Sequence, residues 1–152
     1  MNITEGTSLE MDNVLSCRKK LTEYEMKLAV DNMLGFIEKV GAKTVGPVVK
    51  ATYQLTNGIA DTEILIPIDR KPLIHGDYEF KPVFRLKNAL KLEYTGKYTE
   101  YPTAVKKYTD YILSKKLVPI TAGYSIEKKF QDKTGEDLFS ITTYVGISEN
   151  IL

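Results

Sequence analysis

The sequence predicts an α+β protein in which a strand-helix-strand-strand unit occurs twice. Its strands are expected to form an antiparallel sheet that carries both helices on one face. Three observations lead to this prediction: two amphipathic helical segments offset by 75 residues, a strand and hairpin pattern after each helix, and a strand candidate before each helix. Neither unit could bury its helix and its sheet face alone, so we expect one domain over residues 1–152.

The composition is that of a globular domain that needs no metal or disulfide for stability. The chain has 152 residues, of which 43% are apolar and 27% charged, values close to globular averages. The single cysteine, Cys17, cannot form an internal disulfide and is expected to be a small core residue. The N-terminus lacks the pattern of a signal peptide, and no apolar run approaches the roughly 18 residues that span a bilayer. We therefore expect a cytoplasmic protein without a membrane partner.

Charge and motif content argue against nucleic-acid binding and against common cofactors. Twenty-one basic and twenty acidic side chains leave a net charge of +1, which lacks the basic surface of a dedicated nucleic-acid binder. His75 is the only histidine, which excludes sites that need two, and its Pro- and Gly-rich surroundings predict an exposed loop. The sequence contains no glycine-rich phosphate-binding loop. No metal, flavin or nucleotide cofactor is expected.

The first half opens with a strand candidate from Asn13 to Leu21, followed by a helix over residues 22–41. Thr22 and Glu25 form the sequence pattern of a capping box, which starts a helix by satisfying free backbone donors. The following apolar residues recur at helical spacing and define one face, namely Met26, Val30, Met33, Ile37 and Val40.

The second half repeats this arrangement. A strand candidate from Phe80 to Thr95, expected to break near Lys87-Asn88, precedes a helix from about Thr99 to Lys116. The helix has apolar residues at the same spacings, namely Tyr101, Val105, Tyr108 and Ile112. Adding 75 places the first helical face on the second, so Val30 and Val105 are both expected to be buried.

Each helix is followed by a predicted hairpin. In the first half, alternation from Val49 to Leu55 predicts a strand, and a turn at Thr56-Asn57-Gly58 leads into a strand over residues 62–68. In the second half the corresponding strand covers residues 124–130, and a turn four residues longer changes the offset to 79 before a strand over residues 141–147.

These elements place repeat one at about residues 12–68 and repeat two at about residues 80–148. A polar link over residues 69–79 joins them.

Three segments carry a resemblance to the GyrI-like small-molecule-binding superfamily, which covers nearly the whole chain from Asn13 to Ile147. They are Glu63-Ile64-Leu65-Ile66-Pro67-Ile68, Gly46-Pro47 after the first helix, and Leu92-Glu93-Tyr94-Thr95-Gly96-Lys97-Tyr98 before the second. Members include effector-binding domains of multidrug-responsive regulators. The resemblance implies a ligand groove between the halves, with aromatic walls and a buried glutamate that faces a cationic ligand. The regulators carry a DNA-binding region ahead of this domain, whereas about a dozen residues precede the first strand here, so we expect a stand-alone domain.

Two positions depart from the pattern of the superfamily. Its usual glutamate lies in the last strand of the second half, where this chain has Thr142, and Pro67 is matched by Gly146. Glu63 is left as the one carboxylate of the motif. It either faces a ligand or lies on a solvated strand face, since an antiparallel strand alternates buried and exposed side chains.

Some stand-alone members resemble hydrolases of strained electrophilic rings, which rely on an acidic residue with tyrosine and tryptophan. This chain has no tryptophan and lacks the second glutamate. A hydrolase is therefore disfavoured, and we expect a protein that is not an enzyme.

Tyrosines are the best candidates for a groove wall, because each offers a flat apolar face and a hydroxyl group. Six residues are expected to bind the ligand: Glu63, Tyr53, Tyr98, Tyr124, Thr142 and Tyr144. The expected function is to bind or sequester a small amphipathic molecule, cationic if Glu63 contributes. The alternative is a protein-interaction or accessory module that holds a protein partner in the same groove or at a sheet edge.

Overall fold

The structure is a computed structural model that describes residues 1–74 and 76–149. His75, which the sequence places in an exposed loop, lies outside the described residues. Within them the protein is α+β, with two α-helices and six strands joined in antiparallel pairs. The elements are β1 (Asn2–Leu21), α1 (Glu23–Lys39), β2 (Val49–Thr56), β3 (Ile59–Pro67), β4 (Glu79–Gly96), a 3₁₀ turn (Tyr98–Glu100), α2 (Tyr101–Ser114), β5 (Pro119–Gln131) and β6 (Asp137–Ile147). No helix in the described part of the chain is long and apolar enough to cross a membrane.

The chain divides into two compact units. The first unit is Glu10–Arg85, and the second unit is Met1–Leu9 together with Leu86–Leu152. Each unit contains one α-helix and four strand segments. The long strands β1 and β4 contribute residues to both units.

In the first unit, β3 is the middle strand between β1 and β2, and α1 packs on one face of this sheet. The predicted capping box is present: the Thr22 hydroxyl accepts from the Glu25 N–H, and the Glu25 carboxylate accepts from the Thr22 N–H. Met33 and Ile37 of α1 are buried against alternate residues of the strands. The core of this unit consists of Leu15, Cys17, Leu21, Met33, Ile37, Ala42, Ile64, Ile66 and Ile68.

In the second unit, β6 is the middle strand between β4 and β5. The buried residues of α2 are Ala104 and Tyr108. Tyr108 packs with Leu90 and Leu92 of β4, and its hydroxyl donates to the Leu90 carbonyl at 2.7 Å.

The predicted burial of Val105 is wrong, since its side chain is 38% exposed. The helix rests on Tyr101, Ala104 and Tyr108 instead. The helical spacing of the apolar residues is compatible with burial of either Ala104 or Val105. Tyr101 and Tyr108 fill the space between α2 and the sheet, and Val105 therefore points outward. The equivalent Val30 is half-buried at the edge of the first core.

Two long strands differ from the sequence prediction. β1 begins at Asn2 rather than Asn13, and β4 runs through Lys87-Asn88 without a break. Each contains an asparagine in the left-handed region, with φ of 54° at Asn13 and 49° at Asn88. Asparagine tolerates this conformation better than most residues. The backbone therefore turns locally at both positions while the strand continues.

The strand registers follow the offsets derived from the sequence. Glu63 pairs with Ala51 and Arg18, and Thr142 pairs with Ile126 and Glu93. These partners are related by the same offset of 75 residues that relates the two helices. A common origin of the two units, and a groove between them, stay predictions.

Gly146 occupies the position that corresponds to Pro67 of the first unit, and steric contacts explain why this position is a glycine. A Cβ on Gly146 would lie 2.8 Å from the Thr121 side chain and 2.9 Å from that of Leu86. Only glycine fits this backbone position without displacing its neighbours. In the first unit a Cβ on Gly46 would lie 2.9 Å from the Pro67 ring, so two segments of the sequence motif are in close contact.

Candidate functional site

Glu63 lies on the middle strand of the first unit, on the sheet face opposite α1. Ile64 and Ile66 point toward the helix and belong to its core, so strand alternation directs Glu63 to the other face. Glu63 is only 5% exposed. The alternative of a solvated strand face is therefore excluded.

Three side chains from three different strands bind the Glu63 carboxylate. The Ser16 hydroxyl donates to Oε2 at 2.6 Å, and the Lys81 ammonium donates to the same oxygen at 2.7 Å. The Tyr53 hydroxyl donates to Oε1 at 2.8 Å. We call Ser16, Tyr53, Glu63 and Lys81 the Glu63 cluster.

A local irregularity in β2 brings Tyr53 to this cluster. The pairing of β2 with β3 shifts between Thr52 and Gln54, so Tyr53 is the additional residue of a β-bulge. The hairpin between the two strands turns at Asn57 and Gly58, both of which have positive φ. This turn fixes the register that sets Tyr53 near Glu63.

A second cation contacts the ring of Tyr53. The guanidinium carbon of Arg18 lies 3.8 Å from the ring centre. Arg18 is also held by Asp61 through two hydrogen bonds of 3.1 Å each. The ring is therefore fixed by a bond at its hydroxyl and by a cation on one face.

The electrostatics of the cluster favour an ionised Glu63. Burial acts to raise the pKa of its carboxyl group, but the hydrogen bonds from Lys81, Ser16 and Tyr53 outweigh burial and lower the pKa below its ordinary value of 4.5. Three donors to one carboxylate are a recognised cause of a low pKa. The group is thus a buried anion near neutral pH.

Solvent reaches the Glu63 cluster through two of its members. The side chain of Lys81 is 34% exposed and Tyr53 is 38% exposed, whereas Ser16 and Glu63 are buried. Any molecule that approaches the carboxylate from water would meet these two side chains first.

Three other predicted site residues lie together in the second unit. Tyr124 pairs directly with Tyr144, and Thr142 follows on the same strand face. This face is opposite α2, because the alternate residues Val145 and Ile147 point toward α2 and belong to its core. We call Tyr124, Thr142 and Tyr144 the tyrosine face.

An ion pair adjoins the tyrosine face. Lys91 pairs with Tyr144 across the sheet, and Glu93 pairs with Thr142. The Lys91 ammonium lies 3.0 Å from the Glu93 carboxylate and 5.7 Å from the centre of the Tyr144 ring. The hydrogen bond with Glu93 raises the pKa of Lys91.

Tyr98 lies apart from the tyrosine face. It begins the 3₁₀ turn before α2 and packs against Tyr101 and Phe139, with ring centres 6.3 Å and 4.9 Å away. Phe139 lies on the side of the sheet that faces α2. The role of Tyr98 in a ligand wall stays a prediction, as do the ligand roles of the other five residues.

Sequence reasoning missed three of the residues that surround the Glu63 carboxylate. Ser16, Arg18 and Lys81 are far from Glu63 in sequence, and only the tertiary structure brings them close. One signal was available: Ser16 interrupts an otherwise apolar segment of β1, which is typical of a residue with a buried polar partner. Within residues 1–74 and 76–149, no group of three or more histidine, cysteine or acidic side chains is arranged to hold a metal ion.

No family model matches the chain, and no curated protein matches it in sequence. Solved structures do match it. The crystal structure of the EcmrR C-terminal domain has a TM-score of 0.70 and 10% identity, and covers 99% of this chain and 100% of that domain. EcmrR in a complex with DNA has a TM-score of 0.69 and 12% identity over 95% of this chain. This chain spans 57% of that EcmrR chain.

A hydrolase from Listeria innocua has a TM-score of 0.59 and 12% identity, and covers 97% of this chain and 91% of that protein. At such identities these likenesses establish the fold alone. They support the resemblance found in the sequence: the protein has the GyrI-like fold of the EcmrR C-terminal domain.

Proposed function

We propose that the protein binds a small amphipathic cation through Glu63 and Tyr53, and that it catalyses no reaction. The observation that carries this proposal is a buried carboxylate that accepts three hydrogen bonds and lies beside an aromatic ring that is partly open to water. Such a carboxylate attracts a cation strongly, because little water competes with it. An aromatic ring beside it suits the apolar body of the same ligand.

The fold likeness to the EcmrR C-terminal domain supports a small-molecule-binding role. EcmrR itself is seen in a complex with DNA. The net charge of +1 favours a ligand-binding role for this chain over direct contact with nucleic acid.

The state of Glu63 argues against a hydrolase, although two of the matching structures are named as hydrolases. A general acid or base works best when its pKa lies near the working pH. Lys81, Ser16 and Tyr53 lower the pKa of Glu63 below its ordinary value instead. This arrangement suits binding better than proton transfer.

Titration with a fluorescent amphipathic cation, rhodamine 6G, tests the proposal. Glu63→Gln keeps the shape and removes the charge, and should weaken binding about ten- to a hundredfold, as expected for the loss of a charge-assisted contact of about 1.5–3 kcal/mol. Glu93→Gln is the matched control, because it removes a half-exposed carboxylate from the other unit, and should leave the affinity unchanged. Fluorescein, an anion, should not bind.

Equal affinity of the parent and Glu63→Gln for rhodamine 6G would contradict the proposed site. Turnover of an epoxide probe by the parent, followed by mass spectrometry, would contradict the absence of catalysis.

A further inference from the structure

We propose that Lys81 is a resident cation that closes the Glu63 site, and that a ligand binds by displacing its ammonium group. This inference rests on the proposed function. It adds which residue limits the affinity of the Glu63 site for a ligand and which class of cation the site prefers. It makes Lys81 a specificity-determining residue.

The geometry places the Lys81 ammonium where the charge of a ligand would have to lie. Its Nζ is 2.7 Å from Glu63 Oε2, and Ser16 already donates to the same oxygen. The other oxygen accepts from Tyr53. An incoming cation cannot approach Oε2 closely while Lys81 remains there.

Lys81 is the member of the cluster that can leave at the lowest cost. Its side chain is one-third exposed, whereas that of Glu63 is 6% exposed, so the released ammonium can be hydrated while the carboxylate cannot. Among the described residues, Glu63 is the charged partner of Lys81. Arg18, the other cation nearby, is anchored by two hydrogen bonds to Asp61 and is expected to stay on the Tyr53 ring.

The bond that Lys81 makes also indicates the class of ligand. A displacing cation must replace a short N–H···O hydrogen bond to a buried carboxylate, because burial leaves little water to take the place of that donor. A protonated primary or secondary amine brings such a donor, whereas a quaternary ammonium does not. We therefore expect the site to prefer a protonated amine on an apolar body.

The second unit offers an internal comparison. The offset of 79 assigns Thr142 to the position of Glu63, and the offset of 75 assigns Gly6 to the position of Lys81. The carboxylate and the ammonium are thus both missing there. The two charges occur as a pair in one unit, as expected if the role of Lys81 is to neutralise Glu63.

Fluorescence titration with two matched probes tests this inference. Dansylcadaverine carries a primary ammonium on an apolar fluorophore, and its trimethylammonium derivative keeps the charge without the N–H donors. Lys81→Met removes the resident ammonium and keeps the length of the stem, and Lys81→Arg retains a cation. Lys91→Met is the matched control, because Lys91 pairs with Glu93 in the other unit. Measurements at slightly alkaline pH keep Glu63 ionised in every variant.

Lys81→Met should bind dansylcadaverine at least tenfold more tightly than the parent, whereas Lys81→Arg and Lys91→Met should remain close to it. The parent should prefer dansylcadaverine to the trimethyl derivative. Equal or weaker binding by a folded Lys81→Met, with parent binding still dependent on Glu63, would overturn the inference and leave the proposed function intact. Failure of both probes to bind the parent and Lys81→Met would contradict the proposed function itself.

A measurement on the unmodified chain covers the case in which Lys81→Met does not fold. The NMR resonance of the Lys81 Cε methylene, assigned by comparison with Lys81→Arg, reports on its environment. Saturation with dansylcadaverine should shift this resonance to the position of a hydrated lysine. An unchanged resonance at saturation would overturn the inference.

Discussion

At the scale of single residues, the most informative group is a carboxylate that is buried and still ionised. The donors to Glu63 are of two kinds: Ser16 is buried with it, while Lys81 and Tyr53 reach toward water. The buried donor contributes mainly to stability, and the two exposed donors can respond to a ligand. Substitutions at the cluster are therefore expected to separate stability from binding.

Ser16→Ala should destabilise the protein by about 1–3 kcal/mol, because it removes a buried donor to a charged oxygen and leaves nothing in its place. Urea unfolding followed by circular dichroism measures the change. Ser125→Ala is the control, since the Ser125 hydroxyl pairs with the neutral Thr143 hydroxyl at 2.8 Å in the second unit and its loss should be smaller. A larger effect at Ser125 than at Ser16 would contradict this account.

The pH dependence of stability should also report on Glu63. Its pKa in the folded state is lowered below 4.5 by Lys81, Ser16 and Tyr53, so the unfolded chain binds this proton more readily. The group therefore stabilises the fold above its ordinary pKa, and this contribution is lost as the pH falls through the folded pKa. Arg18 and Lys81 are the cations that face it.

The difference in unfolding free energy between the parent and Glu63→Gln should accordingly be largest near neutral pH and shrink below pH 4.5. Urea titrations at several pH values provide the comparison. A difference that stays constant on acidification would show that Glu63 is not ionised in the folded protein.

At the scale of elements, the orientation of α2 is the feature that periodicity alone could not settle. Ala104 is buried at 4% exposure, while the adjacent Val105 is 38% exposed. Ala104→Asp should abolish cooperative unfolding, because it buries an unpaired charge. Val105→Asp should change stability by less than about 1 kcal/mol, as is usual for surface substitutions. Thermal melts of both variants measure their stability. An equal loss of stability in the two variants would contradict this orientation of α2.

Much of the element order was accessible from the sequence because it depends on local chemistry. The capping box at Thr22, the Asn57-Gly58 turn and the helical spacing in α1 each act over a few residues. The extension of β1 to Asn2 and the continuity of β4 were not accessible, since both strands contain an asparagine with positive φ that resembles a turn signal. The pairing of Lys81 with Glu63 depends on tertiary structure, and no local sequence pattern indicates it.

At the scale of the whole molecule, ligand binding should appear as added stability. A ligand that binds only the folded state at about one hundred times its dissociation constant stabilises it by about 2.7 kcal/mol. Rhodamine 6G should therefore raise the melting temperature of the parent in a concentration-dependent way, and should have a much smaller effect on Glu63→Gln. Differential scanning calorimetry avoids interference from the dye. An equal rise in both proteins would indicate binding elsewhere on the chain.

The pairing of Glu63 with Lys81 has an evolutionary consequence. A sequence that loses the carboxylate alone keeps an ammonium that no longer has its partner, and one that loses the ammonium alone keeps a buried anion with weaker compensation. Related chains are therefore expected to carry both charges or neither. Positions 63 and 81 should change together in descent. The predicted repeat has the same property, since the sequence offsets assign Thr142 and Gly6 to these two positions. An exception that keeps the acid and loses the base is expected only where tighter retention of a cation is selected.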